Sequence, residues 1–366
     1  MTGFNRRFVV RSGIASMLAP LVPMQALARA AATAEVAGTA GDRPTQLDLL
    51  ANIDPELRAV ARQMLAAPGL DPLTVQALPA MRAGGAAYAA PRLTDVPVAE
   101  LKVPVGRGAP DVTIYIVNAD RSRRRPGIVH MHGGGFIAGA AKWEIGYLQD
   151  MARTLDCVIV TVEYRLAPEV TFRGSLEENY AALRWTYDHA RESGIDPTRI
   201  AVMGESAGGG HAALLAIAAR DRKEVPLVLQ MLVYPMLDDR TASSRPVPSH
   251  IGRVGWSAAS NRFGWHAFLG QEPGGDDVPA AGVPARLTDL RGLPPTFIGV
   301  GAVDLFAEED VAFAGRLIHA GVATELIVAP GAFHGFDRIA AQARVAQRFN
   351  AAKLDALRRA FEPKVA

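Results

Sequence analysis

The stretch Arg199-Ile200-Ala201-Val202-Met203-Gly204-Glu205-Ser206-Ala207-Gly208 decides how this chain is read. Its first five residues form a short apolar run of strand character. The residues that follow, Gly209-Gly210-His211-Ala212-Ala213-Leu214-Leu215-Ala216, are rich in helix formers. A Gly-x-Ser-x-Gly pentapeptide between a strand and a helix predicts a nucleophile elbow. The serine backbone is expected in a strained turn, with small neighbours letting strand and helix close around it. The hydroxyl of Ser206 would then sit at a helix N-terminus, where free N–H groups favour developing negative charge. The competing reading is a glycine-rich helix cap without chemistry. The strand before the serine and the helix after it favour the nucleophile.

Outward from the elbow, strands are predicted at 112–117, 126–131, 157–162, 199–203, 228–233, 296–300 and 324–328. Helical patterns at 141–155, 175–193, 207–220 and 307–320 separate most of them. This alternation predicts an α/β fold with a largely parallel sheet covered on both faces. Chemistry in such a sheet gathers beyond the carboxyl ends of the strands. The segment 236–285 breaks the rhythm with many Pro, Gly and Ser residues and with Trp256, Phe263, Trp265 and Phe268. It reads as a lid-like excursion that helps cover the site. Upstream, Asp54-Pro55-Glu56 opens a helical pattern that runs to Leu78 and places Leu57, Val60, Ala61, Met64 and Leu65 on one face. Short helices there fit a lid over a pocket and fit a packing extension equally well.

The 366 residues are 49% hydrophobic, enough for a full core in one large domain or in two. A net charge of +2 with mixed signs gives no electrostatic case for nucleic acid. The basic run Arg121-Ser122-Arg123-Arg124-Arg125 reads as a solvated turn. The single cysteine, Cys157, lies in an apolar run and is expected as a buried structural thiol. At the N-terminus, Arg6-Arg7 precedes an apolar stretch and the cleavage-like Ala26-Leu27-Ala28 and Ala28-Arg29-Ala30. The stretch, broken by Pro20 and Pro23, is too short to span a membrane stably. It looks like a twin-arginine export signal. The expected layout is signal and linker over 1–34, cap helices over 45–105 and a catalytic domain over 106–362. The mature protein would begin near residues 29–35 and be periplasmic or secreted.

A serine hydroxyl needs a base to take its proton, and the base needs a carboxylate to hold it. The order Ser, Asp, His is the one expected for this kind of sheet. Asp304 follows the strand at 296–300, and His334 follows the strand at 324–328, so both point to one end of the sheet. The other candidates have other tasks. His189 and His319 lie in helical patterns, His211 would point along its own helix, and His250 and His266 fall in the excursion. Glu308, Glu309 and Asp310 start a helix and have capping or dipole roles. His132-Gly133-Gly134-Gly135-Phe136 follows the second strand, and its bare N–H groups can approach an oxyanion together with that of Ala207. Two histidines, His130 and His132, without a nearby Cys or carboxylate make a poor metal site. No metal or cofactor is expected.

Three motifs, His132-Gly133-Gly134-Gly135, Tyr164-Arg165-Leu166-Ala167-Pro168-Glu169 and Gly204-Glu205-Ser206-Ala207-Gly208-Gly209, together resemble the hormone-sensitive-lipase family of α/β-hydrolases. The likeness runs from about residue 110 to 340. It implies an α/β-hydrolase fold, a mostly parallel central sheet flanked by helices, with an N-terminal helical cap. It implies a carboxylesterase for short to medium acyl esters that works without a cofactor. Ser206 would be the nucleophile, His334 the base and Asp304 the acid, with Gly133, Gly134 and Ala207 as oxyanion donors. The partner would be a small-molecule ester. The oligomeric state is open, a homodimer being one option. An amidase, formamidase or lactonase with the same triad stays open, as does a non-catalytic binding protein on the same fold. Two positions depart from the family: Glu205 stands where Asp is common, and Leu305-Phe306-Ala307-Glu308 follows Asp304 in place of Pro-Leu-x-Asp. Both leave the triad intact.

Overall fold

The structure, a computed structural model, describes residues 46–67, 73–106 and 108–362. The expected export segment lies outside the described residues. Helices α1 (Gln46–Ala51), α2 (Arg58–Ala66) and α3 (Leu78–Gly84) come first. The strands are β1 (Val98–Val103), β2 (Val112–Val117), β3 (Arg125–Met131), β4 (Val158–Glu163), β5 (Ile195–Glu205), β6 (Leu229–Val233), β7 (Thr296–Gly301) and β8 (Thr324–Ala329). They form one sheet in the order β1-β2-β4-β3-β5-β6-β7-β8. The β2 strand is antiparallel to both its neighbours, and the pairs from β4 to β8 are parallel. The remaining helices are α4 (Ala141–Leu155), α5 (Phe172–Asp188), α6 (Ala190–Ser193), α7 (Ala207–Arg222), α8 (Ala258–Leu269), α9 (Ala307–His319), α10 (Phe336–Ile339) and α11 (Arg344–Phe361).

The two-residue period of the strands builds two cores. Val129, Val160 and Val202 face α5, α7 and α9 through Leu183, Leu215 and Phe313. Ile128, Ile159, Ala201 and Met203 face α4, α11 and α2 through Leu148, Phe349, Leu357 and Ala61. Each fully buried side chain of this kind contributes about 1.5–3 kcal/mol, so packing sets the register of the sheet. A third cluster gathers Leu73, Leu78, Phe136, Ile137, Trp265, Phe268 and Phe306 with Ala207, the first residue of α7.

The seven expected strands are present. The edge strand β1 was not anticipated: its Ala99, Glu100, Leu101 and Lys102 are exposed, so it has no buried stripe to read. Helix α11 was missed as well, although its buried Phe349, Lys353, Ala356 and Leu357 recur at helical spacing. The helix expected from Asp54 starts later. Asp54 instead closes a turn by accepting from Glu56 N at 2.8 Å, and α2 begins at Arg58. The buried Leu57 and Ala61 belong to the α4 and α11 core, whereas Leu78 of α3 joins the third cluster. The excursion contains α8, whose Trp265 and Phe268 rings lie 5.0 and 3.8 Å from the ring of Phe136. The basic turn is solvated through Arg124, but Arg125 opens β3 at 5% exposure and donates to Asn118 O. Cys157 is buried, which pushes its thiol up to about 12.

Candidate active site

The β5 strand ends at Glu205 and α7 begins at Ala207, with Ser206 between them at φ 58° and ψ −122°. A non-glycine residue at positive φ is strained, and the surroundings hold it there. Ser206 N donates to Val233 O at 2.9 Å, and Ser206 O accepts from Met236 N at 3.0 Å. Gly208 lets α7 press on β3, since a Cβ there would lie 2.0 Å from Met131 O. Ser206 is 7% exposed.

Asp304 and His334, in the loops after β7 and β8, meet at this elbow. His334 Nε2 lies 2.9 Å from Ser206 Oγ, and His334 Nδ1 lies 2.8 Å from Asp304 Oδ2. The other oxygen of the fully buried Asp304 accepts from Phe306 N at 3.0 Å. The imidazole is flanked by the rings of Tyr234 and Phe306, at 4.7 and 5.2 Å. The Tyr234 hydroxyl donates to Asp337, which also pairs with the buried Lys353 at 2.5 Å. These supports went unread, because they come from the residue after β6, from α10 and from α11, and meet only in space.

The glycine strap after β3 folds over the serine. A Cβ on Gly133 would lie 3.4 Å from Ser206 Cβ. Among the described residues nothing accepts from the N–H groups of Gly133, Gly134 or Ala207. His132 stacks on Tyr164 at 4.2 Å, and Tyr164 OH donates to His132 O at 2.6 Å. Burial pulls His132 down to about 4 and His211 down to about 3, so both are neutral at pH 7. The ring of His211 is buried and lies 4.3 Å from that of Tyr164. His189, His250, His266 and His319 are exposed.

One expectation is corrected here. His130 does have a carboxylate neighbour: Glu205 Oε2 lies 2.8 Å from its Nε2, and Thr161 Oγ1 lies 2.9 Å from its Nδ1. Its ring is thereby committed to the sheet interior. Glu308, Glu309 and Asp310 open α9 as expected, and burial adds a further role for Glu309 and Asp310. Both are buried, and Glu309 Oε1 accepts from Leu237 N and Asp238 N at 2.7 and 3.1 Å. Burial pushes Glu309 up to about 8 against these bonds, and it raises Asp310 well above the carboxylate range.

A family model described as alpha/beta hydrolase fold matches residues 128–338. Carboxylesterase NlhH of Mycobacterium tuberculosis is 33% identical over 309 residues, 83% of this chain and 88% of the relative. A solved bacterial heroin esterase superposes with a TM-score of 0.78 at 37% identity, covering 86% of this chain and 99% of that one. Esterase LipW from Mycobacterium marinum superposes with a TM-score of 0.73 at 33% identity, covering 86% and 98%. The chain belongs to the α/β-hydrolase family, in its hormone-sensitive-lipase branch. Among the described residues no helix is long and apolar enough to cross a membrane.

Proposed function

We propose that this carboxylic ester hydrolase is a serine carboxylesterase for short to medium acyl esters, working through an acyl-enzyme. The observation that carries the reading is the unbroken hydrogen-bond chain Ser206 Oγ–His334–Asp304, at 2.9 and 2.8 Å. Ser206 attacks the ester carbonyl while His334 takes its proton, and Asp304 holds the imidazolium. The oxyanion accepts from Gly133, Gly134 and Ala207, each donor contributing about 100- to 1,000-fold in turnover. His334 then protonates the leaving alcohol. A water, deprotonated by His334, attacks the acyl carbon; the bond to Ser206 Oγ breaks, the acid leaves, and His334 returns the proton to Ser206. The esterases among the relatives support the choice of ester over amide.

Ser206→Ala tests the reading. Hydrolysis of p-nitrophenyl butyrate should fall by roughly three orders of magnitude or more, with the thermal midpoint kept. Wild-type protein should take a fluorophosphonate label that the variant does not. Turnover retained in the variant would overturn the mechanism.

The cap over 45–105 and the export signal over 1–34 belong to the same proposal. The seat of Leu78 beside Phe136 and Trp265 supports the first. The paired Arg6-Arg7 and the following apolar stretch support the second. Mass spectrometry of protein from the native host should find an N-terminus near residues 29–35 in the periplasmic or secreted fraction. An intact N-terminus on cytoplasmic protein would count against it.

A further inference from the structure

The strap from His132 to Gly139 closes on itself, since Gly134 O accepts from Ile137 N at 3.1 Å and from Ala138 N at 2.9 Å. Two carbonyls on its outer turn are then held from outside. Phe136 O accepts from Ala167 N at 2.9 Å. Ile137 O accepts from Arg82 Nε, in α3, at 2.8 Å. The same guanidinium donates through Nη2 to Ala167 O at 2.9 Å. Through Nη1 and Nη2 it also donates to the two oxygens of Glu169 at 2.8 Å each. One side chain from the N-terminal segment thus grips the strap and the residue that holds the strap's other carbonyl.

We propose that Arg82 is a positioning residue that fixes the oxyanion strap, an inference that rests on the serine carboxylesterase reading. Three features argue for it over simple attachment of α3. The ion pair with Glu169 is open to water, with Glu169 60% exposed, and such pairs contribute little on their own. The specific part is the pair of bonds to main-chain carbonyls, which only a rigid planar fork can make together with the carboxylate. Leu78, four residues earlier on α3, packs in the cluster that contains Phe136 and Ile137, so the arm that carries Arg82 is itself anchored. An oxyanion donor displaced by about 1 Å can cost about 100-fold in rate. The strap's outer turn is the far end of the segment that carries Gly133 and Gly134.

The test compares Arg82→Ala, Arg82→Lys and Glu169→Gln in kcat and KM on p-nitrophenyl butyrate. It adds the inhibition constant of an aryl trifluoromethyl ketone, whose adduct with the serine bears the oxyanion. Arg82→Ala should lose at least tenfold in kcat and weaken the ketone by a similar factor, with KM within threefold. Arg82→Lys should lose in the same direction, because an ammonium cannot span the three acceptors. Glu169→Gln should stay within threefold of wild type in all three. If Arg82→Ala does not fold, the lysine variant decides. The proposal is overturned if the Arg82 variants keep wild-type kcat and ketone affinity whatever happens to their thermal midpoints. It is also overturned if Glu169→Gln loses as much as Arg82→Ala, which would assign the effect to the ion pair. Ser206→Ala run in parallel separates the two levels. Turnover surviving there removes the carboxylesterase reading and this inference with it, whereas its loss beside fully active Arg82 variants removes only this one.

Discussion

The carboxylate of Glu205, the residue before Ser206, lies 2.8 Å from His130 Nε2, and both side chains are buried. Parallel register sets this pair. His130 is level with Thr161 on β4 and with Met203 on β5, and Glu205, two positions further along β5, lies on the same face as Met203 and reaches back to His130. Burial alone would raise Glu205. The electrostatic pull and hydrogen bond of His130, joined by Arg338 and Lys353, outweigh it and bring the group to about 2. Such a group stabilises the fold above its unfolded value, near 4.5, and loses that contribution as pH falls through about 2.

Removing one partner of this pair should therefore be expensive. Glu205→Ala or His130→Ala is expected to cost about 3–5 kcal/mol at pH 7, and the double substitution less than the sum. Urea denaturation of the three variants checks this. Additive losses would mean that the two groups are not coupled.

Gly134→Ala should disable the strap while leaving the sheet folded. A Cβ there would lie 2.1 Å from Ala138 O, on a backbone at φ 128°. Loss of correctly placed donors predicts a kcat lower by about 100- to 1,000-fold. Steady-state kinetics beside a circular-dichroism melt reads both parts.

Asp304→Asn should keep the geometry and favour the wrong imidazole tautomer. A fall in kcat of about 10,000-fold is expected from triads of this kind. Ester hydrolysis across pH 6–9 measures it, and a loss under tenfold would remove Asp304 from the mechanism.

Glu309 makes stability depend on pH in the opposite sense to Glu205. Its folded value is raised to about 8 from 4.5, so the folded state holds the proton longer than the unfolded chain does. The stabilisation is full below about pH 4.5 and is lost as pH rises through about 8. Glu309→Gln keeps an oxygen for Leu237 N and Asp238 N and removes the titration. The variant should gain on wild type by on the order of a few kcal/mol between pH 5 and 8.5. Guanidinium titrations at the two pH values check it, and parallel curves would refute it.

Much of the site was legible because its signals are local. The elbow needs small residues around a strained serine, and the strap needs bare N–H groups, so both are written in consecutive positions. Asp304 and His334 were expected near Ser206 because each follows a strand and parallel strands deliver their ends to one rim, and the structure brings the three side chains together. Glu308, Glu309 and Asp310 do open α9, as expected, but the burial of Glu309 and Asp310 was not legible. An acidic first turn looks the same whether the helix faces water or, as α9 does here, turns those residues into the core. The edge strand β1 left no trace because it is held by backbone pairing with β2 and buries almost no side chain.

The sequence by itself determined the groups on offer: a serine on a turn that small neighbours permit, a glycine run, and an aspartate and a histidine that each follow a strand downstream of it. The tertiary structure alone decided which distant groups support them. Glu205 meets His130 across 75 positions, and Arg82 meets Ile137 across 55. Contacts of that span depend on strand register and helix rotation, which are set by burial summed over the whole core and leave no mark on the residues that touch.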